Sequence, residues 1–295
     1  MKKFTRREFV KTSLAGVSAA SVGYAFSGFS YLPPAEIDQV QLGKTGLLVS
    51  RLALGTGTNG HAHQSDFTRM GFDNFLKIAR TAHERGVTFI DTADSYGTHH
   101  FVSRFLKEVS REKCQIMTKI WTENNSWNTV APIPETLDRF RKELNTDYLD
   151  LVLLHCMTSG NWVETKASMR EELNAAKQNG IVKTVGVSCH NFEAMKVAVE
   201  DPWVDVILAR INPGQKVMDG TPEQVMDLLK TANENGKGVI GMKIFGAGQW
   251  ADPRQREESI KFAIRSGNVH AMTLGMTTPE QVTDAVDRIM AVVNS

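Results

Sequence analysis

The chain has 295 residues, with 34 Lys and Arg against 33 Asp and Glu, and 41% of its residues are apolar. A formal charge of +1 offers no basic surface for nucleic acid, and the apolar fraction is that of an ordinary globular protein. The three cysteines, Cys114, Cys156 and Cys189, cannot all pair, each falls in or beside an apolar run, and no CxxC is present. These features argue against a disulfide framework, a zinc ribbon and an iron–sulfur cluster.

The N-terminus reads KFTRREFVK over Lys3–Lys11 and continues as the small, apolar TSLAGVSAASVGYAFSGFSYL. Adjacent Arg6 and Arg7 before such a stretch resemble a twin-arginine export signal, an address read by a receptor and separate from the fold. The stretch is too short and too rich in Ser and Gly for a good spanning helix. The expected division is therefore residues 1–35 as signal and linker and 36–295 as the folded domain. Cleavage is expected between Ala25 and Ala35, with a membrane tether as the outcome if the signal stays attached. The resemblance implies the Tat translocase as a partner and a location in the periplasm or on the outer face of the inner membrane. It also implies export in the folded state, with any cofactor already inside. Without Lys2, Lys3, Arg6, Arg7 and Lys11, the rest of the chain is slightly acidic.

The segment VQLGKTGLLVSRLALG predicts a hairpin leading into a first buried strand that ends at Gly55. Seven further apolar runs follow, at 87–93, 114–120, 149–156, 184–190, 204–212, 238–244 and 270–276. Helical periodicity lies between them. Leu137, Phe140 and Leu144 share one face, as do Val225, Leu228, Leu229 and Ala232. The sequences ERG, QNG and ENG mark helix ends, and Pro279 marks the start of the last helix. Eight strands alternating with helices predict a parallel sheet closed into a (β/α)8 TIM barrel with an N-terminal β-hairpin. A doubly wound sheet is the alternative, but GTGTNG at 55–60 has no helical pattern after it and reads as a loop.

Working residues of such a barrel sit at the C-terminal strand ends. Those ends carry Asp91, Asp94 and Tyr96, then Lys119, His155, Ser188 with His190 and Asn191, Arg210 with Asn212, and Lys243. A lysine among apolar strands needs a counter-charge, which Asp91 supplies. An ammonium beside a phenol favours phenolate, so the expected tyrosine has a lowered pKa and gives a proton near neutral pH. A histidine beside it orients the oxygen that receives the proton. Proton delivery to a carbonyl needs hydride at its carbon, and no side chain supplies one, so the set implies a nicotinamide cofactor.

The stretches FIDTADSYG, MTKIW, LVLLH, VGVSCHN and TPEQV resemble the aldo-keto reductase superfamily over nearly all of the domain. The resemblance implies Tyr96 as general acid, Lys119 as the group that tunes it, Asp91 as the partner of Lys119, and His155 as the residue that positions the carbonyl. It implies reduction of an aldehyde or ketone to an alcohol, or the reverse, with NADP(H), and with NAD(H) as the other possibility. It also places Gly55 and Thr56 near the cofactor, and gives Ser188 the nicotinamide amide. Cys189 stands where the family has Asn, leaving His190 or Asn191 for that contact. The family's Gln on the next strand is missing, leaving Asn212 or Arg210, and Phe245 is the candidate stacking ring in GMKIFGAG. Gly246, Ala247 and Gly248 offer backbone N–H groups to a pyrophosphate. Gly275, Met276, Thr277 and Gln281 open the last helix, whose N-terminus favours phosphate, but no Lys or Arg is there for a 2′-phosphate. Trp121 and Trp127 are expected aromatic walls of an open substrate mouth, with His61 and His63 on the first loop.

Two rival readings use the same residues. His61 and His63 form an HxH that, with His155, Cys156, Cys189 and His190, suggests a metal-dependent hydrolase, although the HxH lies past its strand and no aspartate ends the eighth. The other rival is a barrel that binds a dinucleotide or sugar without turnover.

Overall fold

The computed structural model describes residues 35–125 and 130–295. The expected export signal, and Trp127 with it, lie outside the described residues. A hairpin of β1 (Gln39–Gln41) and β2 (Leu48–Ser50) comes first. The barrel strands follow as β3 (Leu52–Gly55), β4 (Phe89–Asp91), β5 (Gln115–Trp121), β6 (Leu149–Met157), β7 (Val182–Cys189), β8 (Val206–Arg210), β9 (Gly238–Met242) and β10 (Ala271–Leu274). They pair in parallel in chain order, and β10 closes on β3. The closed barrel bears out the expected fold and excludes the doubly wound alternative. Each expected strand is present, with ends shifted by a few residues.

The helices are α1 (Asp66–Met70), α2 (Phe72–Glu84), α3 (His99–Phe105), α4 (Ile133–Leu144), α5 (Trp162–Thr165), α6 (Ala167–Gln178), α7 (Phe192–Glu200), α8 (Pro222–Glu234), α9 (Pro253–Arg265) and α10 (Pro279–Val293). The helix ends read from ERG, QNG and ENG hold: Gly86, Gly180 and Gly236 all have positive φ. Thr278 caps α10 ahead of Pro279.

Strand parity decides what faces the barrel axis. Side chains alternate along a strand, and both faces of these strands are buried. Ile90, Ile116, Val152, Leu154, Val185 and Val187 belong to the apolar layer shared with the helices. Phe89, Met117, Leu151, Leu153, Val206, Leu208 and Ile240 fill the interior with Leu42, Leu47 and Val49 of the hairpin. The hairpin therefore plugs the N-terminal end, where the Lys44 N–H donates to the Gly236 carbonyl at 2.8 Å. Continuing each inward column by two residues gives Asp91 above Phe89, Lys119 above Met117 and His155 above Leu153. The same count puts Ser188 above Gly186, Arg210 above Leu208 and Met242 above Ile240. The polar site is thus the top layer of the apolar core.

Candidate active site

Lys119 is 1% exposed, with apolar strands on either side. Its ammonium pairs with Asp91 Oδ1 and donates to the Thr92 carbonyl at 2.9 Å. The second carboxylate oxygen of Asp91 accepts from the Thr273 hydroxyl at 2.7 Å. Burial pushes the Lys119 pKa down, but Asp91 and Tyr96 outweigh it, and the net direction is up. The lysine therefore stays charged.

Tyr96 ends a short 3-10 turn, Asp94–Tyr96, terminated by Gly97 in the left-handed region. Its ring faces Lys119, whose Nζ lies 4.8 Å from the ring centroid. Burial pushes the phenol up, Lys119 pulls it down, and Asp91 and Cys156 push it up again, with a net pKa of about 12. This corrects the expectation of a depressed pKa: the lysine acts in the expected direction, but removing the phenol from water is the larger effect.

The GTGTNG loop seats this ring. A Cβ at Gly57 would stand 2.3 Å from the Tyr96 ring, and one at Gly60 would stand 2.6 Å from it. The glycines that come close to a dinucleotide motif instead form a shelf for the phenol. Sequence reasoning missed this role, and the paired glycines were its only signal.

His155 meets Tyr96 edge to face at 5.7 Å between centroids and meets Trp121 at 5.2 Å. Burial, Lys119 and His190 hold its pKa well below the usual histidine range, so it is a neutral imidazole. Its buried Nδ1 has no hydrogen-bond partner. Trp121 thus lines the site against His155. Beyond His155 the strand bulges, with Cys156 at φ +64°. Cys156 Sγ lies 3.7 Å from His190 Nε2, and the buried His190 Nδ1 also lacks a partner. Burial and Arg210 bring His190 down to about 4, so it too is neutral.

A nicotinamide carboxamide, which both donates and accepts, suits the unpartnered His190 Nδ1. Several other expected cofactor contacts are engaged inside the protein. The Ser188 hydroxyl is fully buried and accepts the Cys156 N–H at 2.9 Å. The Asn191 side chain caps α7 by accepting from the Ala194 N–H at 3.1 Å. Asn212 donates to the carbonyls of Lys216 and Lys243 and accepts the Lys216 N–H, so its amide closes a loop with both of its donors engaged. Arg210 is paired with Asp219. The buried Thr56 hydroxyl ties strand ends together through the Asp91 carbonyl, at 2.9 Å, and Thr98. Gly55 packs against Thr273, and Gly275 against Thr58.

The turn expected to hold a pyrophosphate uses two of its N–H groups internally. Gly246 and Gly248 N–H groups donate to the carbonyls of Lys243 and Phe245 within their own turn, although both glycines and Ala247 have positive φ. The Phe245 ring packs under Arg256, 5.6 Å from its guanidinium carbon, and Met276 is buried in the core. Gln281 Oε1 accepts the Thr277 N–H at 2.7 Å. The carboxylate of Glu280 bonds its own backbone N–H and Thr278, which holds its pKa down and places negative charge where a phosphate was expected.

His63 does not turn toward His155. Its Nδ1 lies 3.0 Å from the Asp94 carbonyl oxygen, and the His61 N–H bonds the Gln64 carbonyl. Among the described residues no three His, Cys, Asp or Glu side chains are grouped to hold a metal ion. The hydrolase reading has no support in this geometry. All three cysteines are free.

Fold and site together define a (β/α)8 barrel with a tyrosine, lysine, aspartate and neutral histidine at its C-terminal mouth. A family model described as the aldo/keto reductase family matches residues 51–291, and the chain belongs to that family. It is 34% identical over 141 residues to methylglyoxal reductase DkgB of Salmonella typhi, covering 47% of this chain and 51% of that protein. It is 27% identical over 214 residues to L-galactose dehydrogenase of Arabidopsis thaliana, covering 70% and 64%. The matches to methylglyoxal reductases span about half the length of those relatives. The fold is similar to that of aldo-keto reductase AKR11C1 from Bacillus halodurans in its holo form. The TM-score is 0.68 at 21% identity, over 86% of this chain and 91% of that one.

Proposed function

We propose that the chain is a nicotinamide-dependent carbonyl reductase acting on a small aldehyde or ketone. One observation carries the reading: Tyr96, Lys119 and Asp91 form a contiguous buried set beside neutral His155 at the barrel mouth. In this reading the Tyr96 phenol gives its proton to the carbonyl oxygen, and the phenolate left behind is stabilised by the adjacent Lys119 ammonium. His155, being neutral, holds the same oxygen through a hydrogen bond without competing as an acid. Asp91 fixes the lysine and keeps it charged. A nicotinamide cofactor held at this mouth would supply the hydride that the carbonyl carbon needs, which no side chain provides.

The names of the curated relatives suggest methylglyoxal and L-galactose as first test substrates. NADP(H) is the family-based expectation. Glu280 at the start of α10 disfavours a 2′-phosphate there, which supports NAD(H). We also propose export by the twin-arginine route, on the strength of Arg6 and Arg7 before an apolar stretch. A folded passenger loaded with dinucleotide before export suits a compartment without a supply of reduced nicotinamide.

The test is to purify leader-deleted protein from cytosol, denature it, and identify released dinucleotide by mass spectrometry. Turnover of methylglyoxal with that dinucleotide is then measured. Stoichiometric dinucleotide, with turnover abolished in Tyr96→Phe, is the expected result. A barrel that neither retains nor binds NADPH or NADH would sink the reading. Fractionation of cells expressing the full chain, with and without Arg6→Lys and Arg7→Lys, tests export.

A further inference from the structure

Outside the barrel wall, a chain of charged contacts runs from the Tyr96 turn to the Lys119 strand. Arg139 on α4 grips both carboxylate oxygens of Asp94, at 2.9 and 2.8 Å, and Asp94 opens the turn that ends in Tyr96. The same guanidinium donates to Glu143 Oε1 at 2.9 Å. Glu143 Oε2 lies 2.7 Å from His99 Nδ1, and His99 Nε2 lies 2.8 Å from the Thr118 hydroxyl. Thr118 precedes Lys119 on β5 and, by strand parity, points outward where Lys119 points inward. Asp94, His99 and Thr118 are all buried.

We propose that Arg139 and His99 are positioning residues for the reaction: through Asp94, Glu143 and Thr118 they hold the Tyr96 turn in register with the strand that carries Lys119. The proposal rests on the reductase reading for its kinetic consequences, though not for its structural ones. Three observations support it. Within the site, phenol and ammonium meet directly, but the phenol is borne by a three-residue turn with no regular sheet pairing of its own. Besides the glycine shelf under the ring, the outer chain supplies a further attachment, and each of its ends falls within two residues of a group doing the chemistry. Arg139 is itself exposed at 43%, and an ion pair with one partner in water contributes little net stability, so its presence here is better explained by a geometric demand. That demand is strict, since a displacement of about 1 Å between reacting groups costs about 100-fold in rate.

The test uses the full chain as wild type, Arg139→Met and Arg139→Lys, labelled with [13C]tyrosine. The chain has four tyrosines, and the Tyr96 signal is assigned by its loss in Tyr96→Phe. Dinucleotide dissociation constants and kcat and KM for 4-nitrobenzaldehyde are measured alongside. In Arg139→Met the Tyr96 ring signal is expected to move and broaden. With it, kcat falls at least about tenfold, while KM and the dinucleotide constant stay within about threefold. Arg139→Lys, which keeps the charge on Asp94, is expected to recover most of kcat. A folded Arg139→Met with wild-type Tyr96 signal and kcat overturns the proposal. If Arg139→Met does not fold, the near-isosteric Asp94→Asn decides on the same readouts. If wild type reduces no aldehyde, the reductase reading fails, and the Tyr96 signal alone decides whether the brace exists.

Discussion

Tyr96 lies on the backbone of Gly57, so closely that a methyl group at Gly57 would come within 2.3 Å of its ring. The phenol is therefore placed from below by an absence of side chain as well as from the side by Lys119. Gly57→Ala is expected to push the ring off its seat and lower kcat at least about tenfold. Cofactor affinity should change little. Steady-state kinetics and dinucleotide titration of the variant check this, and wild-type kcat would remove the shelf from the mechanism.

The Lys119–Asp91 pair makes a stability prediction. Removing only the ammonium leaves Asp91 buried and uncompensated, so Lys119→Met is expected to cost about 3–5 kcal/mol. Changing both, as Asp91→Asn with Lys119→Met, should recover much of that loss while activity stays absent. Urea denaturation of the two single variants and the double variant measures the coupling.

The pH dependence follows from the two shifted groups at the mouth. In the proposed mechanism reduction needs Tyr96 protonated, and its pKa is pushed up to about 12, so the reductive rate should hold across the neutral range and fall only at strongly alkaline pH. Histidine protonation should limit the acid side only well below its usual pKa, because burial, Lys119 and His190 hold His155 neutral. Alcohol oxidation needs the phenolate and should therefore rise with pH over the same range. Rate profiles in both directions test the signs. A reductive limb near neutrality would mean that bound cofactor lowers the phenol substantially.

Glu143 links acid stability to the outer brace. Burial pushes its carboxyl up, but His99 and Arg139 outweigh that and hold it at about 2, below the ordinary 4.5. A depressed folded pKa contributes stability above the unfolded value, and that contribution is lost as pH falls through the folded one. That contribution is present at neutral pH and disappears between roughly pH 4.5 and pH 2. Denaturation at several pH values should show wild type more stable than Glu143→Gln at pH 7, with the gap closing toward pH 2.

The thiols should be silent in the folded protein. Burial pushes Cys114 and Cys156 up to about 11 and Cys189 higher still. At pH 7.5 a disulfide exchange reagent should label the native chain slowly and release all three thiols on unfolding. Cys156 is only half-buried at the bulge, so it is the most sensitive of the three, and its rapid labelling in the native state would contradict the raised thiol pKa.

The barrel was legible because its signals are local. Eight apolar runs separated by periodic helices, with glycines at the helix ends, leave little choice of topology once each strand must be covered on both faces. Asp91, Lys119 and His155 were legible for a related reason: an ionisable residue two positions beyond an inward apolar residue has only the mouth to occupy. The internal hydrogen-bond partners of the expected cofactor residues were not legible. Ser188, Asn212, Gly246, Gly248 and Gln281 have the chemistry to meet a ligand, but a hydrogen-bonding group satisfies whichever partner lies nearest, and sequence does not display those distances. The same limit hid the brace. Arg139 and Glu143 are visible as neighbours on one helix, whereas the Asp94 that Arg139 grips lies 45 positions away in the chain. The sequence alone determined which residues face the axis and what charge they bring, because strand alternation and burial act residue by residue. Only the tertiary structure decided the net pKa of Tyr96 and which polar groups remained free, because desolvation and hydrogen bonding depend on everything packed around a group.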